Sequence, residues 1–209
     1  MLRESAALLM QTNRPVPIES RALGTLSYIR ASIDAASSLA VPGLAGIVMG
    51  AIGAAAALLT YVPPFGNYWL SVWLVAACVA FVLGGALVAR QVSQRGGLLI
   101  TGPLRRFLMC LCPGLLAGAV LTLVLSLADM QRLIPGAWLL LYGCAVIAAS
   151  TATHSRSLPI IASMGVLFVI LGGAAFVLPS SAHTVLLGAG FGGLHLLSGI
   201  IIGRVNHGE

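Results

Sequence analysis

The chain has 209 residues, 59% of them hydrophobic and 8% charged, with a mean hydropathy of +1.04. Soluble domains carry about 25% charged residues, so this composition excludes an ordinary soluble domain and fits a bilayer. The net charge of +6 sets 11 Arg, with no Lys, against five Asp and Glu, and the placement of those arginines speaks for membrane topology rather than nucleic acid.

Residues 1–19 include Arg14-Pro15-Val16-Pro17, which resists helix and reads as a flexible cytoplasmic N-terminus. The apolar run within Met1–Met10 is too short for a signal-peptide core, so insertion is expected to depend on the first span. Over 20–38 the pattern becomes amphipathic. Leu23, Leu26, Ile29 and Ile33 share one face, Arg30 and Asp34 lie elsewhere, and Ser20 offers an N-cap. This predicts a helix lying at the cytoplasmic interface, with a bend at Pro42-Gly43.

Six apolar stretches follow, at about 39–61, 69–90, 107–128, 133–151, 158–178 and 184–203, each near the ~20 residues that cross ~30 Å of hydrocarbon. The links between them are short, so the expected fold class is all-α. The prediction is a polytopic membrane bundle of six transmembrane helices over 39–204, preceded by the interfacial helix and followed by a cytoplasmic tail at 205–209.

Arg3, Arg14, Arg21, Arg30, Arg90, Arg95, Arg105, Arg106, Arg156 and Arg204 fall on one side of this topology, and Arg132 alone falls on the other. The positive-inside rule then places both termini in the cytoplasm. Tyr61, Tyr68, Trp69 and Trp138 fall at the opposite interface as an aromatic belt. Pro113, Pro135 and Pro159 are expected within the first turn or two of their helices, where proline is tolerated.

Glycine, at 25 residues, supplies the expected packing surfaces. Gly46 and Gly50 in the first span, and Gly199 and Gly203 in the last, form small-xxx-small pairs, which predicts close packing of those two helices. In the last span Gly188, Gly192, His195 and Gly199 fall at i, i+4, i+7 and i+11, one stripe of an α-helix. His195 is therefore expected on the face where other helices approach closest, with Tyr142, Ser198, Ser163, Thr122 and Cys144 as candidate partners.

His195 is the leading candidate binding residue, with Ser198 and Tyr142 beside it. A neutral imidazole bonded across a helix seam is the structural alternative. No Asp, Glu or Arg falls inside a span short of its ends, where Arg90 stands, which disfavours proton-coupled transport. Asp129, Arg132 and His183 bound two short outer loops and form a second candidate polar cluster, with a solvated boundary as the plainer reading. The cytoplasmic arginines suit anionic lipid headgroups.

Other patterns carry less. Cys78, Cys110, Cys112 and Cys144 lie in apolar runs and imply no disulfide framework, and Cys110 and Cys112 are too divergent on a helix to chelate. His154, His183 and His195 differ in depth and make a poor haem site. The Gly188–Gly193 run satisfies G-x-G-x-x-G without a preceding strand, so no nucleotide site is read from it. No metal, cofactor or catalytic residue is assigned.

The run from Tyr28 to Gly43, together with Phe191-Gly-Gly-Leu-His195, resembles six-span bacterial inner-membrane proteins without an assigned activity. The resemblance covers the two ends of the chain and implies that the interfacial helix and the last helix act jointly. The leading expectation is an accessory, scaffold or sensor protein without a catalytic site, packing with itself or a membrane partner. A carrier or channel for a small neutral or apolar solute, with a contact at His195, is the alternative. An intramembrane redox or lipid-modifying enzyme is the third.

Overall fold

The computed structural model describes residues 24–26, 39, 41–94, 102–153 and 156–207. The chain divides into two units, Met1–Ser37 and Ser38–Glu209. Of the first, only a helical turn at Gly24–Leu26 is described. The predicted interfacial helix over 20–38 thus lies mostly outside the described residues, as do Arg95 and His154.

The second unit is helical, and among the described residues its only strand-like pairing is an isolated parallel bridge between Leu39 and Thr153. Its helices are α1 (Gly43–Leu59), α2 (Trp69–Gln94), α3 (Pro103–Leu127), α4 (Ile134–Ser150), α5 (Leu158–Val177), α6 (His183–Leu187) and α7 (His195–His207). A π-helical segment, Gly188–Leu194, joins α6 to α7 without a break. Together α6, the π segment and α7 form one last helix. Among the described residues five helices are long and apolar enough to cross a membrane, so the chain is multi-pass.

The first apolar stretch is the shortest, and its length leaves the count at five long helices plus one shorter apolar helix. α1 has 17 residues, about 25 Å at 1.5 Å per residue. The chain before it is spent otherwise. Pro42 is extended, at φ −70° and ψ 128°, and the Leu39 N–H donates to the Ala152 carbonyl at 2.9 Å. The segment predicted as the start of a span instead straps α1 to the α4–α5 connection.

α3 corrects a second expectation. It begins at Pro103, so Pro113 lies in its interior rather than near its start. Pro135 and Pro159 do sit in the first turns of α4 and α5.

The helices pack in two groups of three, each held by glycine. In the first, α1 lies antiparallel to the last helix, with α2 on the other side of α1. A Cβ added at Gly46 would stand 2.9 Å from the Gly199 Cα, and one at Gly50 would stand 2.6 Å from the Leu196 nitrogen. One at Gly53 would stand 2.6 Å from the Phe191 carbonyl, and Gly43 meets Gly199 and Gly203. In the second group α4 lies between α3 and α5. There Gly143 meets Gly165, Gly172 meets Leu140, and Gly114 meets Ala145. Backbone rests on backbone along both seams, and close van der Waals contact replaces the hydrophobic drive that lipid cannot give.

Between the groups contact passes through large side chains. Leu139 of α4 and Phe168 of α5 close on Gly190 of the π segment, and both are fully buried. α2 rests mainly on α1 and α3 mainly on α4, with no extended contact between α2 and α3.

Gly199→Ala is expected to destabilise the bundle. Its Cβ would meet the Ile47 nitrogen at 2.6 Å and the Gly43 carbonyl at 2.7 Å, an overpacking that costs about 1–3 kcal/mol. Gly173→Ala, where nothing lies within 4 Å, is expected to be neutral or stabilising by up to ~1 kcal/mol. Unfolding curves of both variants in mild detergent check this. Equal effects would mean the seam is looser than described.

Candidate functional site

The most developed polar constellation lies between the two groups, at the junction of the π segment and α7. His195 is 4% exposed. The Gly190 carbonyl, 3.4 Å from its Nδ1, can only accept, so Nδ1 carries the proton. Nε2 then accepts the Tyr142 hydroxyl proton at 2.6 Å. Both ring nitrogens of a neutral imidazole are engaged by this one arrangement.

Aromatic rings enclose the pair. Tyr142 meets Phe168 at 4.8 Å and Phe191 at 5.1 Å between centroids, and Phe191 stacks on His195 at 6.2 Å. Phe168 meets His195 edge-on at 5.4 Å. Offset and edge contacts of this kind add to burial because ring faces are negative and ring edges positive. The site can hold one neutral hydrogen-bonded pair tightly. No charged side chain takes part.

The π segment decides which way His195 faces. Gly188, Gly192 and Gly199 lie against Ala57, Ala54 and Ile47 of α1, whereas His195 points toward α4 and α5. The expected single stripe is therefore split. With i→i+5 bonding each residue turns through a smaller angle than in an α-helix, so seven residues after Gly188 no longer return to the same face. The glycines keep the α1 seam and the imidazole goes to the seam between the groups. Gly203 leaves open space around its own Cβ position.

Of the other candidate partners, none reaches the imidazole side chain. Ser198 is buried, donates to the Leu194 carbonyl at 2.7 Å and lies 3.0 Å from the Met164 sulfur of α5. Thr122 donates to the Gly118 carbonyl at 2.7 Å and accepts the Trp138 indole proton at 2.6 Å. Ser163 is turned back onto Ile160, and Cys144 is exposed.

The outer-loop candidates differ in exposure and bonding. Asp129 and Arg132 are exposed. Asp129 adopts φ 56°, where its N–H donates to Ser126 and that of Met130 donates to Leu125. This closes α3 with a Schellman-type turn, a conformation that aspartate tolerates. His183 is buried and its Nε2–H donates to the Ala175 carbonyl at 3.0 Å, tying the start of α6 to the end of α5. Among the described residues no three His, Cys, Asp or Glu side chains converge as metal ligands would.

Sequence reasoning missed the tryptophan arrangement. Trp69 of α2 stacks on Trp138 of α4 at 6.2 Å and 14°, so two residues assigned to an aromatic belt also clasp α2 to the second group. Trp73, one turn along α2, is 3% exposed and meets Phe191 at 6.3 Å. The spacing of Trp69 and Trp73 on one helical face was the available signal.

Comparison with known protein families, curated proteins and solved structures finds no match. The resemblance at the two ends of the chain therefore stands on those residues alone.

A double-mutant cycle on Tyr142→Phe and His195→Ala is expected to give a coupling of about 0.6–1.7 kcal/mol, the range for hydrogen bonds between membrane helices. Tyr142→Phe alone leaves Nε2 buried and unpaired and should destabilise by about 1–2 kcal/mol. Strict additivity in detergent unfolding would show that the pair does not hold the seam.

Proposed function

We propose that this protein is a multi-pass inner-membrane accessory, scaffold or sensor subunit that acts through helix packing and has no catalytic site of its own. The observation that carries this reading is the saturation of its central polar pair: His195 uses both nitrogens on Tyr142 and Gly190. Among the described residues the charges on the long helices are arginines near their ends, Arg90, Arg105, Arg106 and Arg204. The wide apolar faces of α2 and α3, exposed from Leu74 to Leu83 and from Leu116 to Leu127 at many positions, suit a bilayer and a membrane-embedded partner.

The proposed orientation keeps both termini in the cytoplasm of a bacterium. Chain alternation gathers Arg90, Arg105, Arg106, Arg156 and Arg204, all exposed, at one end of the helices. Asp129 and Arg132 occupy the other. The arginine end faces the cytoplasmic leaflet and its anionic headgroups.

A carrier for a small neutral or apolar solute is the second reading. It is favoured by the location of the Tyr142–His195 pair between two glycine-locked groups, where relative motion would expose it.

The packing reading predicts co-isolation. Cross-linking in native membranes, followed by extraction in mild detergent, should recover the chain with a second copy or a defined membrane partner. Recovery as a lone monomer at every cross-linker dose would end this reading. Solute flux in liposomes that is lost in His195→Ala with assembly intact would support the carrier instead.

A further inference from the structure

The two groups of helices are tied to one another differently at their two ends. At the end that holds Asp129 and Arg132, Trp69 of α2 stacks on Trp138 of α4 at 6.2 Å. There α5 also joins the last helix through residues 178–182, a short link in which the Ala182 N–H donates to the Pro179 carbonyl at 2.9 Å. His183 adds its bond to the Ala175 carbonyl at 3.0 Å. A ring stack, a short bonded link and a side-chain bond make this end a firm joint.

At the arginine-bearing end the strap before α1 crosses between the groups. It leads into α1 of the first group, and its partner is the α4–α5 connection of the second. Leu39 pairs with Thr153 in an isolated parallel bridge, and its N–H donates to the Ala152 carbonyl at 2.9 Å. Ala152 lies just past the end of α4, where helix carbonyls have run out of intrahelical donors. Leu39, Ala152 and Thr153 are buried, and Val41 packs against the core. A bridge of one residue pair has no neighbouring ladder to support it and is marginal on its own. At a bundle end, water can satisfy both the N–H and the carbonyl once they part. The chain connection at this end, residues 95–102, can reach roughly 26 Å when extended, so it permits separation.

We propose that the strap is a releasable latch: when Leu39 lets go of Ala152, the two groups part at the arginine-bearing end and pivot about the joint at the Trp69–Trp138 end. Each group moves as one body, because backbone rests on backbone along its glycine seams. Large apolar side chains meet between the groups, as Leu139 and Phe168 do against Gly190, and such faces part without breaking a hydrogen bond. The polar contacts that cross there, Tyr142 to His195 and Ser198 to Met164, lie between latch and joint. Displacement grows with distance from a pivot, so these contacts move less than the strap does. The latch gives the motion a direction, opening the seam from the arginine-bearing side. It does not rest on the carrier reading, since the groups can part without moving a solute, and a distance measurement fails independently of a flux measurement.

The test measures distances by double electron–electron resonance on the full chain in lipid nanodiscs, with the native cysteines replaced by alanine. Gadolinium labels are carried on ketone-bearing unnatural residues, which leaves introduced cysteines free and tolerates reductant. One label pair, at Arg105 of α3 and Arg204 of the last helix, reports the arginine-bearing end. A second, at Tyr61 and Met130, reports the joint, and all of these positions are exposed. Leu39→Pro removes the latch donor, whereas Leu39→Ala trims the same side chain and keeps it. The longer distance at the arginine-bearing end should be about fivefold more populated in Leu39→Pro than in Leu39→Ala, the worth of one backbone hydrogen bond. The distance at the joint should stay the same. A disulfide between Leu39→Cys and Thr153→Cys should remove the longer distance, and reduction should restore it. Equal populations in the proline and alanine variants overturn the proposal, as does widening of the same size at both ends. Identical distributions in the locked and reduced forms overturn it even where Leu39→Pro does not fold.

Discussion

The structure depends on helix contacts that leave no room for a side chain. At Gly43, Gly46, Gly50 and Gly53 the backbone of α1 rests on the backbone of the last helix, and Gly143, Gly165 and Gly172 do the same for α4 and α5. In lipid, apolar side chains gain little by leaving their surroundings, so association falls to dispersion forces and close approach. A methyl group at these positions would push the helices apart and forfeit much of that contact. The two groups of three follow from where the glycines lie. The seam between the groups is where they are few, and large side chains fill it instead.

Polar groups are distributed accordingly. Tyr142, His195 and Ser198 all lie on or beside the seam between the groups, and the glycine seams hold none of them. A neutral pair there costs little once both partners are engaged, while it fixes the rotation of the last helix relative to α4. The π segment is the backbone adjustment that permits this. It lets one helix present glycine to α1 and an imidazole to α4 within two turns, which a regular helix of the same sequence would not do. A single π segment placed beside the main polar contact fits the association of such bulges with sites under functional demand.

Much of this was legible in the residues. Apolar length marks the five long helices, and the glycine pairs mark where α1 and the last helix touch, because both signals are properties of single helices. The rest depended on relations that periodicity does not encode. α1 is short because Leu39 spends its N–H on Ala152, a pairing with a loop more than a hundred residues away. The Gly188–His195 stripe broke because it assumed 3.6 residues per turn. His183 reads as an outer-loop residue by position, yet the short α5–α6 connection turns it inward onto Ala175. Trp69 and Trp138 carry the composition of an interfacial belt, and only the fold shows that they face each other.

The seam between α1 and the last helix also bears on how the protein is made. Ribosomes deliver α1 well before its principal partner exists, and domains generally form in order of emergence. α3, α4 and α5 are consecutive and can assemble among themselves while synthesis continues. α1 has a glycine-lined face with no mate until Gly188–Gly199 enters the bilayer. During that interval its glycine-lined face rests on lipid rather than on backbone, and the first group closes only when Gly188–Gly199 follows.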